Sequence, residues 1–244
     1  MSAPTNLREF VEKFSAITKQ GWIQTHRSGP TGIGKTLEDL LEIQENNFDE
    51  PDFGNYELKA MRSSATSMLT LFTKTPKPPR VNAKLLDDYG FATEKYDNGK
   101  KVLHTTLLAT RPSELGNTGK SLQVKCGDNQ IFIIDHTGKE VAYWNSNELE
   151  KAFLKKYKYR LVHAYADSKG EGKEEQFKFH TALELYDFSF ENMITLLKEG
   201  IIKVDIRIGQ YSNGKPHDHG TGFRIQEKYL DCMFKSQNVL VKAD

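Results

Sequence analysis

A chain of 244 residues with 27% charged and 37% hydrophobic side chains has the composition of an ordinary globular protein, long enough for one large domain or two lobes sharing a core. No apolar run approaches the ~20 residues needed to span a bilayer, and the opening "MSAPTNLREF" is too polar for a signal peptide, which points to the cytosol. Cys126 and Cys232 are solitary, without a C-x-x-C partner, and the net charge of +1 hides local unevenness: "KTPKPPRVNAK" and "KKYKYR" are basic stretches able to track a phosphate backbone or to form a solvated face.

Leu7, Phe10, Val11, Phe14 and Ile17 recur at helical spacing, with Gly21 as a stop. A glycine-rich stretch, Arg27 to Gly34, leads into a short helix carrying Leu37, Leu40 and Leu41. Tyr56–Met61 and Met68–Lys74 read as strands, expected to be neighbours. "VNAKLLDDYG" is a helix, and Asn98-Gly99 signals a hairpin between "FATEKY" and "KVLHTTLLAT". Strands "SLQVKC", "QIFIID" and "EVAYW" follow, then a helix at about 147–156 and the strand "YRLVHAYA". The polar loop "SKGEGKEEQ", the segment "FKFHTALELY", the helix "FENMITLLKEG", the strand "IIKVDIRI" and the loop-strand unit "HDHGTGFRI" complete the chain. The class is mixed α/β with antiparallel strands in the middle.

Residues 29–36, "GPTGIGKT", match the P-loop pattern of nucleotide-binding proteins. A working P-loop follows a buried strand and opens a helix, so that backbone N–H groups cup the phosphates. The helix is expected, but the preceding "WIQTHRS" is too polar for that strand. The tempting magnesium-binding acid, Asp135 of "IFIID", turns through His136-Thr137-Gly138-Lys139 straight into another strand, where a parallel nucleotide-binding sheet needs a long crossover. The context therefore speaks against a nucleotide triphosphatase and against ATP as a ligand.

A few residues on, Pro51-Asp52 and Glu57-Leu58-Lys59 form PD-x4-E-x-K. On a strand, Glu57 and Lys59 share one face and Leu58 points into the core. Asp52 can lie beside Glu57, and two adjacent carboxylates favour a hard divalent ion between them. A lysine beside that ion can align the attacking water or stabilise charge on a phosphate. Glu38, on the preceding helix, can add a third carboxylate. The plain alternatives are a Glu57–Lys59 surface ion pair and, for Glu38, placement favoured by the helix dipole.

"TGIGKTLEDLLE", "PDFGNYELK", "LTLFTKTP" and "KVDIRIGQYSNGKPHDHGTGFRI" together closely resemble the MvaI/BcnI family of type II restriction endonucleases, in the MutH-like branch of the PD-(D/E)xK nucleases. Thr73 and the downstream segment follow the MvaI side of the family. The resemblance implies a MutH-like fold with two lobes around a DNA cleft, the N-terminal half mainly catalytic and the part from about 150 to 244 mainly for recognition. It implies that Glu38, Asp52, Glu57 and Lys59 are catalytic, with Asp52 and Glu57 on Mg2+ (Mn2+ substituting). It places Asp205, Arg207, His217, Asp218, His219 and Arg224 where the family reads base pairs. The arginine forks suit guanine O6 and N7, Asp205 or Asp218 can accept from cytosine N4, and a histidine can donate to guanine N7.

The implied partner is double-stranded DNA at a CCNGG-type site (CCWGG or CCSGG), bound by a monomer. The cell would be bacterial, with a cognate DNA methyltransferase in the same restriction system and no direct contact between the two. Lys74, Lys77, Arg80 and Lys84 are candidates for backbone phosphates, as is Lys35 with the glycine amides before it; solvated surface is the alternative. His217-Asp218-His219 as a metal site and an Asp205–Arg207 pair within one strand are the competing readings downstream. His26, His104, His136, His163 and His180 are scattered and read as structural or exposed. A mismatch-repair type nicking enzyme and a catalytically silent DNA-binding protein are the alternative functions.

Overall fold

The computed structural model describes residues 2–44, 51–64, 68–93, 100–157, 160–211, 213, 215–218 and 220–243. In chain order these form α1 (Leu7–Thr18), β1 (Ile23–Gln24), α2 (Gly32–Leu40), β2 (Tyr56–Arg62), β3 (Met68–Thr73), α3 (Val81–Tyr89), β4 (Leu103–Leu107), β5 (Ser113–Glu114), β6 (Ser121–Cys126), β7 (Gln130–Asp135) and β8 (Glu140–Asn145). They continue with α4 (Ser146–Lys156), β9 (Arg160–Lys169), β10 (Gln176–Phe188), α5 (Phe190–Lys198), β11 (Lys203–Gln210), β12 (Pro216–Asp218), β13 (Gly222–Gln226) and β14 (Phe234–Lys242). The mixed α/β class stands. No helix among the described residues is long and apolar enough to cross a membrane.

The chain forms two compact units, each assembled from separated segments. The first comprises Met1–Ser67, Tyr157–Ser189 and Leu230–Asp244. Its sheet runs β1–β10–β9–β2, with β14 also on β10, and β2 lies parallel to β9. Helix α1 starts at Asn6, whose side chain accepts the Glu9 N–H at 3.0 Å while Glu9 accepts the Thr5 N–H in return, satisfying donors that a helix start leaves open. The expected apolar stripe of α1 enters a core with Leu37, Leu41, Leu58, Val162, Ala164, Phe177 and Phe179. Because strand side chains alternate, burying Leu58 sends Glu57 and Lys59 to the opposite face.

The second unit comprises Met68–Lys156 and Phe190–Tyr229. One sheet runs β12–β11–β13–β3 with β4 on β11, and the other is the antiparallel meander β5–β6–β7–β8. Phe72 and Phe223 stack at 4.8 Å, and Trp144 meets Phe223 edge-on at 5.4 Å, tying β3, β13 and β8 together.

Tyr56–Met61 and Met68–Lys74 are not neighbours, contrary to the sequence expectation. β2 takes β9 as partner and β3 takes β13, in different sheets. The intervening "SSATS" holds no Gly, Pro or Asn to make a tight reversal, so adjacency in sequence gave the two strands no hairpin. β14, with Val239 and Lys235 exposed, was not anticipated because its apolar residues do not alternate cleanly. The Asn98-Gly99 turn lies outside the described residues, although Phe91 and Val102 exchange both backbone hydrogen bonds at 2.9 Å. The expected hairpin after Asp135 forms, with Ile131 opposite Trp144, and β1 is a two-residue strand antiparallel to β10. Neither supplies the parallel strand that a P-loop requires.

Within "GPTGIGKT" the glycines have separable demands. A Cβ on Gly32 would stand 2.2 Å from the Arg27 carbonyl oxygen, whereas on Gly34 it would meet nothing closer than Glu38 at 3.9 Å. Gly32→Ala is expected to cost ~1–3 kcal/mol of stability through overpacking. Gly34→Ala, inside α2, is expected to gain ~0.5–1 kcal/mol. Urea unfolding of both variants checks the pair, and a large loss in Gly34→Ala would contradict it.

Candidate active site and recognition residues

The segment before β2 is a tight turn. Phe53 N–H donates to the Tyr56 carbonyl at 3.2 Å and Tyr56 N–H to the Phe53 carbonyl at 2.8 Å, with Gly54 at φ 51° between them. Phe53 stacks on Phe10 and on Tyr56, at 5.3 Å in each case, and so anchors the turn in the core. Asp52, next to Phe53, is thereby folded back along the strand, and its Oδ2 accepts the Leu58 N–H at 2.6 Å. Lys59 Nζ donates to Glu57 Oε1, also at 2.6 Å. Asp52, Glu57 and Lys59 therefore come together.

Burial pushes the Asp52 carboxyl above its ordinary range. The Leu58 amide pulls it down, the Glu57 charge raises it further, and Lys59 lowers it. Burial, with the Glu57 charge adding to it, also raises the Tyr157 phenol strongly. Two carboxylates repelling each other in a half-buried setting, with oxygen donors only, fit a hard divalent cation. Helix α2 packs on β2 and carries the half-buried Glu38. Among the described residues no group of three His, Cys, Asp or Glu side chains that could hold a metal ion is found.

Arg62, at the end of β2, clamps the glycine-rich turn. Its guanidinium donates to the Gly29 and Pro30 carbonyls at 3.1 Å, and to Glu175 at 2.6 and 2.8 Å. Lys35 pairs with Asp39 at 2.8 Å, and Asp39 also meets His26 at 3.0 Å.

In the second unit Asp205 is 5% exposed and gathers two guanidinium groups. Arg207 approaches with Nε at 3.0 Å and Nη2 at 2.9 Å, and Arg224 with Nη1 at 3.0 Å. Thr106 Oγ1 donates to Asp205 Oδ1, the oxygen that Arg207 Nη2 also meets, at 2.8 Å, and Arg224 Nη2 donates to the Met68 carbonyl at 3.0 Å. The pairing of Asp205 and Arg207 inside one strand is thus present, extended by Arg224. Asp218 is held at both oxygens, by Asn82 Nδ2 at 2.5 Å and by the Gly220 N–H at 2.7 Å. His217 lies against Tyr211 with ring centroids 4.4 Å apart. His219 lies outside the described residues.

Lys77 bonds Glu148 at 2.6 Å, Lys74 is half-buried, and Arg80 and Lys84 are exposed. Thr106 and Asn82 carry no motif. Thr106 is found through its register, since β4 places it opposite Asp205; Asn82 is found only through the packing of α3 on β12.

In the first unit Glu57 and Lys59 on β2, with Asp52 in the turn before it, and in the second unit two arginines gathered on one carboxylate, are groups suited to a site-specific nuclease. The sequence profile of the MvaI/BcnI restriction endonuclease family matches residues 11–234, and the chain belongs to that family. It is a type II site-specific endonuclease. The structure titled "Restriction endonuclease MvaI-cognate DNA substrate complex" is similar at 34% identity and a TM-score of 0.71, with 98% of this chain and 100% of that one covered. The structure "Restriction endonuclease MvaI in the absence of DNA" is similar at 33% identity and a TM-score of 0.67, with 99% and 100% covered. Comparison with curated protein sequences finds no match.

Removing the shared acceptor tests the coupling within the Asp205 cluster. Asp205→Ala leaves Arg207 and Arg224 without their common partner, and is expected to cost ~1–3 kcal/mol. The same loss in Arg207→Ala and in the Asp205→Ala/Arg207→Ala double variant would show the coupling in urea unfolding; simple additivity would contradict it.

Proposed function

We propose that this endonuclease hydrolyses both strands of DNA at a CCNGG-type site with Mg2+, using Asp52, Glu57 and Lys59 as its chemical centre. The single observation that carries the reading is the fold-back of Asp52 onto Leu58, which places both carboxylates and the lysine together. Asp52 and Glu57 would hold the ion, which when bound supplies Lewis acidity to the phosphate and lowers the pKa of a water. Lys59 places its positive charge where a phosphate oxygen or the attacking water would stand, and Glu57 orients it. Glu38, on the helix that packs on β2, adds a further active-site carboxylate.

Arg207 and Arg224 read guanines, held in place by Asp205, whose oxygens are committed to them and to Thr106. Asp218 and His217, on β12, together with His219 supply the other base contacts, and Lys35, Lys74, Arg80 and Lys84 meet backbone phosphates. The enzyme works as a monomer in the cytoplasm of a bacterium, alongside a methyltransferase that protects the same sites. A nicking activity is the alternative, since the described residues offer one such group of Asp52, Glu57 and Lys59 per chain.

Incubation of plasmid DNA rich in CCNGG sites, with and without Mg2+, is expected to give discrete double-strand fragments only with the ion. Sequencing their ends gives the central pair and the cut position. Open circles alone would favour the nicking enzyme, and a gel shift without cleavage a silent binder. Lys59→Ala is expected to abolish cleavage while specific binding in Ca2+ persists; wild-type cleavage rates would sink the assignment. Arg224→Ala is expected to weaken specific binding by ~1–3 kcal/mol and to leave random-sequence binding in place. Equal losses on both DNAs would move Arg224 to the backbone.

A further inference from the structure

Beside β3 in the second unit lies an open cavity of about 410 Å³ lined by Thr73, Lys74, Thr75, Lys77, Glu148 and Gly220. The strand-like strap that forms one wall is fixed through its backbone. Lys74 N–H donates to the Thr221 carbonyl at 2.9 Å, and Trp144 Nε1 donates to the Lys74 carbonyl at 2.9 Å. Lys77 exchanges both backbone bonds with Tyr143, at 2.7 and 3.0 Å. The two lysines are thus presented from a rigid frame together with two threonine hydroxyls, a donor set suited to an oxyanion of phosphate type.

An anion already occupies this setting. Glu148, in the first turn of α4, accepts from Lys77 Nζ at 2.6 Å. The Lys77 hydrogen bond, with the charges of Lys77 and Lys74 behind it, holds the Glu148 carboxyl below its usual range, so it stays ionised at neutral pH. The pair is over a third exposed on the lysine side and 33% on the glutamate side. An ion pair that open to water contributes little to stability and is readily exchanged.

We propose that this cavity is a subsite for a phosphodiester of the DNA backbone, and that Glu148 is its built-in occupant, surrendering Lys77 only when a phosphate takes its place. The inference rests on the DNA-cleaving reading above and goes beyond it by assigning a role to an acid. Non-specific binding is driven almost wholly by phosphate neutralisation and counterion release. A carboxylate that must be displaced removes one such contact from the balance, which lowers affinity for random DNA and leaves base contacts to decide where the enzyme stays. The placement of an acid at a helix start by the dipole explains Glu148 on α4, but not its hydrogen bond to a lysine on a backbone-pinned strap beside a cavity.

The test measures binding of wild type, Glu148→Gln, Lys77→Ala and the double variant to CCNGG-bearing and random duplexes in Ca2+, over a salt series, with thermal midpoints recorded alongside. Glu148→Gln is expected to bind random DNA ~3–10-fold more tightly and to steepen the slope of log affinity against log salt by about 0.9, the value of one added phosphate contact. The double variant is expected to lose both gains, and Lys77→Ala alone to leave the slope nearly unchanged. Unaltered random-DNA affinity in Glu148→Gln, or a gain that survives in the double variant, would overturn the inference while wild-type binding keeps the DNA reading intact. Absence of DNA binding by wild type would overturn both. In a further arm, orthophosphate replaces chloride at equal ionic strength. Selective weakening of Glu148→Gln, with its steepened salt slope on DNA lost, supports a diester competing for this cavity; saturable orthophosphate binding to Glu148→Gln in the absence of DNA, with its DNA salt slope equal to that of wild type, would assign the cavity to free phosphate and overturn the proposal.

Discussion

The hydrogen bond from the Leu58 amide to Asp52 Oδ2, 2.6 Å long, is the constraint that brings Asp52 to Glu57 and Lys59, and the proposed chemical centre depends on it. Asp52 and Glu57 are separated by a turn, and nothing in their spacing alone makes them meet. Phe53 supplies the anchor: held between Phe10 and Tyr56 in the core, it fixes the turn so that the preceding carboxylate has one direction to point. The price is a half-buried carboxyl whose charge is disfavoured by burial and by Glu57. That arrangement is poor for stability and well suited to a cation.

The same strand is secured at its other end by Arg62, which ties the glycine-rich turn and Glu175 to β2. This gives "GPTGIGKT" a physical explanation that owes nothing to nucleotides. Gly32 lets the backbone approach Arg27, the Gly29 and Pro30 carbonyls receive the arginine, and Lys35 pairs with Asp39. In the second unit the logic is repeated with the signs exchanged, since one buried carboxylate, Asp205, organises two arginines. In each unit a group of one charge fixes the direction of groups of the other.

The sequence made much of this legible, and for identifiable reasons. The stripe of α1, the Leu58 alternation and the hairpin after Asp135 are local patterns whose period sets the structure. The i, i+2 spacing of Glu57 and Lys59 is equally local, so their shared face was legible, whereas the approach of Asp52 depends on the Phe53 turn. Partner choice between distant strands was not. β2 pairs with β9 across roughly a hundred residues, so its expected place beside β3 failed. The compact units interleave three segments with two, a division that no linear boundary at about 150 describes. Thr106 and Asn82 were invisible for the same reason, because each owes its role to a register or packing contact made far away.

The central claim is that Asp52 and Glu57 form one divalent-cation site. Calorimetric titration of Ca2+ into the enzyme bound to uncleaved CCNGG duplex tests it most directly, comparing wild type with Asp52→Asn and Glu57→Gln. Asp52→Asn keeps an oxygen for the Leu58 amide while removing the charge, so the turn is preserved. The account predicts a saturable binding heat in wild type that disappears in both variants. An unchanged titration in either would contradict it.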